Sequence, residues 1–226
     1  MKRNRQRNRE DQKRQQMLKI NINDKEYDLP EKWKEISMKT YCHLFYKLQE
    51  TNDKMDETEK TLITIRNEAK IISRLLGEND DYIMSLPIDV FNKLRTKIQF
   101  LYEINDFLNS KIFYLNIDGK RYFLPAPNEM SLRQYIDADM IMKEENENQF
   151  IELLACLLLP VGKDGKYEYD GKYQEIIPKI EKMSAEDGLP FIYTFFKKKE
   201  ISKKLSEDFS MVQQEASRLV DSIKNS

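Results

Sequence analysis

Residues 18–29, "LKININDKEYDL", alternate apolar and polar side chains on either side of an Asn-Asp pair. Strand side chains repeat every two residues, so a two-residue turn at Asn23-Asp24 predicts a hairpin that pairs Ile22 with Lys25, Ile20 with Tyr27 and Leu18 with Leu29. Those six side chains share one face. The opposite face pairs Lys19 with Asp28 and Asn21 with Glu26, which suits water. Pro30 then ends the ladder, because it has no N–H to donate. Ser37 follows, placed to cap a helix with Met38, Tyr41, Phe45 and Leu48 on one side.

The same pattern returns about 95 residues later. In "LNIDGKRYFLPAP" the turn is Asp118-Gly119, a stronger hairpin signal, and Ile117 faces Lys120, Leu115 faces Tyr122 and Phe113 faces Leu124. Pro125 closes it, and Ser131 is placed to cap a helix with Leu132, Tyr135, Ile136 and Met140 on one side. With one gap in the connector, the two segments match at Asn21/Asn116, Ile22/Ile117, Lys25/Lys120, Tyr27/Tyr122, Leu29/Leu124, Pro30/Pro125, Ser37/Ser131 and Tyr41/Tyr135. Chance supplies roughly one or two such matches at ordinary residue frequencies. The echo continues: "EAKIISRLLGE" with "QFIELLACLLLP", and "LPIDVFNKLRTKIQFL" with "MSAEDGLPFIYTFF".

These elements predict a mostly helical α+β chain built from two tandem copies of a hairpin-plus-helices module. The expected organisation is a basic flexible tail over 1–17, one copy over 18–112, a second over 113–199, and a C-terminal amphipathic helix over 200–226. The second copy differs in two ways. It carries an insertion near 161–177, "VGKDGKYEYDGKYQEII", whose two Asp-Gly pairs mark turns and a small hairpin. Its hairpin also replaces Lys19 opposite Asp28 by Tyr114 opposite Phe123, an aromatic pair that something must cover. That cover is either intramolecular packing or a protein–protein contact. The final segment spaces Ile201, Leu205, Phe209, Val212, Ala216, Leu219 and Ile223 by threes and fours, a narrow stripe expected to dock on its own body or on a neighbouring subunit.

Composition changes this picture little. Of 226 residues, 34% are charged and 40% hydrophobic, and the net charge is −1. The charge is unevenly placed: residues 1–17 sum to +5, leaving −6 for the remainder. Lys2, Arg3, Arg5, Arg7, Arg9, Lys13 and Arg14 suit phosphate contact without base reading, or an acidic protein partner. A merely solubilising or partner-docking terminus is an equal alternative. Cys42 and Cys156 stand far apart in apolar runs, which fits a reducing compartment better than a disulfide framework. No apolar stretch follows the basic start, so a signal peptide is not expected, and the longest apolar run, Leu153–Val161, falls far short of the ~20 residues of a membrane span.

Candidate chemistry is sparse. His43 neighbours Cys42, but adjacent helical positions diverge by about 100°, so the two make no dyad. "VGKDGK" lacks the spacing of a phosphate loop, and Asp164 and Asp170 miss the calcium-loop pattern. Asp137, Asp139, Glu144, Glu145 and Glu147 read as solvated surface rather than a metal site. No catalytic residue, cofactor or metal is therefore expected, and the chain reads as a non-enzymatic binding or assembly protein.

The run "INDKEYDLPEKWKEISMKTYCHLF", followed by "IISRLLGENDDYIMSLPIDVFNKL", resembles small proteins of tailed bacteriophages of Bacteroidetes, including crAss-like phages. The resemblance rests on Leu29, Pro30, Trp33, Glu35, Ser37 and Tyr41. In the second copy Leu124, Pro125, Ser131 and Tyr135 recur, with Asn128 near the Trp position. It implies a virion structural protein of the neck or tail, or a cargo protein packaged with the genome. A tail-assembly chaperone absent from the mature particle is one alternative, and a nucleic-acid-binding regulator using the arginine-rich arm is another. The expected partners are other virion or tail proteins, a second copy of the chain, and packaged DNA through the basic tail. The expected location is the virion, and the host cytoplasm during assembly. On this reading Tyr114, Phe123, Ile201, Leu205, Phe209, Val212, Leu219 and Ile223 are the candidate interface residues.

Overall fold

A computed structural model describes residues 18–102, 113–162 and 164–197. In chain order they form β1 (Leu18–Ile22), β2 (Lys25–Leu29), α1 (Met38–Phe45), α2 (Glu57–Leu76), α3 (Asp80–Met84), α4 (Ile88–Ile98), β3 (Tyr114–Ile117), β4 (Lys120–Phe123), α5 (Leu132–Lys143), α6 (Gln149–Leu157), β5 (Leu159–Pro160), α7 (Ile177–Lys182) and α8 (185–197). The chain is thus α+β, with a two-stranded and a three-stranded antiparallel sheet. The described residues divide into two compact units: 18–102 with Asn146–Ile151 and Pro178–Gly188, and 113–145 with 152–162, 164–177 and 189–197.

In the first unit β1 and β2 pair in the expected register, Leu18 opposite Leu29 through Ile22 opposite Lys25. Asn23 and Asp24 both take positive φ, 50° and 63°, as a type I′ turn requires. Ile22, Tyr27 and Leu29 are buried, while Lys19, Asn21, Glu26 and Asp28 face water. Ser37 caps α1, its side chain accepting from the Thr40 N–H. Leu48, expected on the stripe of that helix, lies beyond it, because α1 ends at Phe45 and Lys47 turns at φ 51°. The buried face of α1 is Met38, Cys42 and Leu44, and Tyr41 and Phe45 are half-buried. Tyr41 packs beside Trp33, 5.9 Å between ring centroids, and on Phe45, 4.8 Å.

Residues from later in the chain complete this unit. The Met38 N–H donates to the Met183 carbonyl at 2.7 Å, and the Ala185 N–H donates to the Ile36 carbonyl at 2.7 Å. Two Ser-capped helix starts, at Ser37 and Ser184, are therefore tied together by a β-bridge. Gly188 lies so close to Met38 that an added Cβ would sit 2.5 Å from its sulfur. The Ile151 backbone hydrogen-bonds Cys42, whose thiol burial pushes up to about 12. Segments 146–151 and 178–188 thus cover the Met38/Cys42 face of α1.

In the second unit β3 and β4 pair as expected, Tyr114 opposite Phe123 through Ile117 opposite Lys120. Asp118 and Gly119 take φ of 49° and 76°. The short β5 adds to β4, Phe123 opposite Leu159. Ile117, Tyr122 and Leu124 are buried as closely as their counterparts Ile22, Tyr27 and Leu29. The insertion closes on itself, with a bridge between Val161 and Tyr167 and positive φ at Gly165 and Gly171. Asp164 and Asp170 each accept from the backbone N–H two residues on, the side-chain turn that Asp-Gly pairs favour.

Ser131 caps α5 by accepting from the Gln134 N–H. The face that α5 buries is Gln134, Ala138 and Ile141. Gln134 is fully enclosed, its Nε2 donating to the Cys156 carbonyl at 2.9 Å and the Leu157 carbonyl at 3.4 Å, where α6 ends. The apolar stripe read from the sequence is consequently turned outward: Leu132 is 76% exposed, Tyr135 50%, Ile136 47% and Met140 59%.

Candidate protein interface

Three residue types meet on the solvent side of the three-stranded sheet. Tyr114 and Phe123 stand opposite each other because the register set by the Asp118-Gly119 turn puts them there, with ring centroids 5.3 Å apart. Tyr167, delivered by the insertion, stacks on Phe123 at 4.4 Å. Arg121, two residues before Phe123 and so on the same side of β4, lies with its guanidinium 3.8 Å from the Tyr114 ring centre. The insertion therefore covers one side of the aromatic pair. Tyr114 remains 46% exposed and Tyr167 40%. The corresponding side of the first hairpin carries Lys19 paired with Glu26 at 2.6 Å, a solvated arrangement.

Such a patch is suited to protein contact. Tyr, Phe and Arg are enriched at interfaces because they bury large area, and Tyr and Arg do so while keeping a polar end. Its rings are already stacked on one another, so little side-chain freedom remains to be lost on binding. Sequence reading found Tyr114 and Phe123 through their departure from the charged pair of the first hairpin. It missed Tyr167 and Arg121. The Tyr167 contact depends on how the insertion folds back, and Arg121 looked like one more surface charge.

Elsewhere the sequence candidates disperse. His43 Nδ1 is 2.7 Å from Glu147, and His43 is exposed while Cys42 is buried. Asp137 accepts from the Tyr169 hydroxyl at 2.6 Å, and burial together with that bond raises the Tyr169 hydroxyl above its ordinary range. Asp139 pairs with Lys143 at 2.6 Å. Cys156 is buried, and its thiol is pushed up to about 11. Among the described residues no three His, Cys, Asp or Glu side chains gather as metal ligands. A cleft of about 600 Å³ in the first unit is lined by Thr64, Glu68, Asn92, Arg95, Gln99 and Tyr102, and its one carboxylate is paired with Arg95 at 2.6 Å.

Lys2, Arg3, Arg5, Arg7, Arg9, Lys13 and Arg14 lie outside the described residues, as do Ile201, Leu205, Phe209, Val212, Leu219 and Ile223. Among the described residues no helix is long and apolar enough to cross a membrane. No protein-family model, curated protein or solved structure matches the chain.

Proposed function

We propose that this chain is a non-enzymatic structural or assembly component of a tailed-phage virion, in the neck or tail or packaged as cargo, acting through protein–protein contacts. The observation that carries the contact part of this reading is the Tyr114–Phe123–Tyr167 stack with Arg121 on it, half-exposed on the second hairpin where the first hairpin is charged. The phage assignment is supported by the sequence resemblance over the first copy. Tandem duplication of one module is part of the proposal. It is supported by two type I′ hairpins, each followed by Pro, a short 3-10 turn and a Ser-capped helix. The second copy then diverged into a binding face while the first kept a solvated one. The basic arm, by its charge, meets packaged DNA or an acidic surface.

Quantitative mass spectrometry of purified particles tests this reading. The chain is expected at a fixed copy number, and the Tyr114→Ala/Arg121→Glu variant is expected to fall by roughly thirtyfold or more in particles, the loss typical of a hot-spot residue. The variant should accumulate folded in infected cells. Absence of the wild-type chain from particles, with abundance in infected cells, would replace the virion role by an assembly chaperone or regulator.

A further inference from the structure

Backbone hydrogen bonding leaves one edge of the three-stranded sheet open. The Leu124 N–H donates to the Phe113 carbonyl at 2.8 Å, so by the alternation of an antiparallel ladder Phe113, Leu115 and Ile117 turn their backbone polar groups inward to β4. Tyr114 and Asn116 turn theirs outward. On the far side of β4 the outward groups are taken: the Val161 N–H donates to the Arg121 carbonyl, and Phe123 pairs with Leu159. Among the described residues nothing pairs with the backbone N–H or C=O of Tyr114 or Asn116, and both residues are exposed. The first hairpin has Lys19 and Asn21 at these places. A lysine on an edge strand discourages further pairing, and on β3 a tyrosine stands in its stead.

We propose that β3 pairs antiparallel with β3 of a second copy of this chain, joining the two three-stranded sheets into one across a two-fold axis at Leu115. Register selects this occupant. Only with the axis at Leu115 do Tyr114 and Asn116 of one copy meet Asn116 and Tyr114 of the other, so that every outward group of β3 finds its partner within β3. The side chains agree with that register. Leu115, half-buried at the sheet edge, meets Leu115 of the second copy on the apolar face, and Phe113, 37% exposed, meets Ile117. β3 carries no charged residue, so the pairing sets no like charges opposite each other. A contact of this symmetry closes at two copies and does not grow into a fibre. It uses a backbone edge, and it depends neither on the virion reading nor on a further protein at the aromatic patch.

Disulfide trapping in the full-length chain tests the register. At the two-fold axis the Leu115 pair is a non-hydrogen-bonded one, with Cα atoms about 4.5 Å apart, inside the range a disulfide spans. Leu115→Cys is therefore expected to cross-link to itself under oxidised glutathione at least roughly tenfold faster than Ile20→Cys, the equivalent position of the first hairpin, because pairing holds the two thiols together. Cys42 and Cys156 are buried with raised thiols and contribute little. Asn116→Pro removes one outward N–H and no hydrogen bond of the hairpin. It is expected to slow the Leu115→Cys cross-link to the control rate and, in the otherwise wild-type chain, to convert a dimer mass to that of a monomer, with circular dichroism retained. A wild-type chain that stays monomeric up to its solubility limit overturns the proposal. So does cross-linking of Leu115→Cys no faster than the control, or a dimer that survives Asn116→Pro. A monomer that still enters particles overturns this pairing alone and leaves the virion reading standing.

Discussion

A single guanidinium ends α1. Arg74 Nη1 donates to the carbonyls of His43, Leu44 and Tyr46 at 2.7, 2.9 and 2.8 Å, the groups a helix end leaves without partners. Nothing in the sequence marks Arg74, which sits on α2 some thirty positions away. Arg74→Ala is expected to cost about 2 kcal/mol in urea unfolding, the range for hydrogen bonds to a charged donor. A loss within 0.5 kcal/mol would mean that water replaces the guanidinium. Gln134 does comparable work at the end of α6, and it too reads in sequence only as a polar residue on a helix. In both cases the value of a side chain depends on carbonyls that only the fold brings near it.

Elements were far more legible. Alternation around Asn23-Asp24 and Asp118-Gly119 specified both registers, because a two-residue I′ turn leaves one pairing that keeps the apolar side chains on one face. Both serine caps sit where their spacing placed them. The two turns differ in one respect that stability should reveal. Asp24 holds φ 63° with a Cβ, whereas Gly119 occupies the equivalent place at φ 76° without one. Asp24→Gly is therefore expected to stabilise the chain by about 0.5–1 kcal/mol, read as a raised urea midpoint with unchanged slope. A lowered midpoint would show that the entropy of the unfolded glycine outweighs the relieved strain. The stripe of α5 is the instructive failure at this scale. Periodicity located it correctly but said nothing of its direction. After the first hairpin, Trp33 from the 3-10 turn and Phe45 of α1 hold Tyr41; at the matching places after the second hairpin stand Asn128 and Asp139, and Tyr135 turns out to solvent.

At the scale of the molecule, the first unit depends on chain that arrives late. Residues 146–151 and 178–188 belong to it, and Gly188 is there because Met38 leaves no room for a Cβ. Gly188→Ala is expected to destabilise by about 1–3 kcal/mol through overpacking. Adding Met38→Ala should cost clearly less in that background than in the wild type, because the two positions share one space. Additive losses in a thermal or urea double-mutant cycle would place the strain elsewhere. Gly188 was visible in the sequence only as a glycine near a helix start.

Two hairpins, their registers and the serine caps could all be read from residue order, since each rests on neighbours within about twenty positions and on periods of 2 or 3.6, and the departure of Tyr114/Phe123 from the charged pair was legible by setting one hairpin against the other. The direction of the α5 stripe, the segments that complete the first unit, and the stacking of Tyr167 and Arg121 onto the aromatic pair could not. Each depends on which distant surface reaches a given side chain first, and that competition among long-range contacts leaves no periodic trace along the chain.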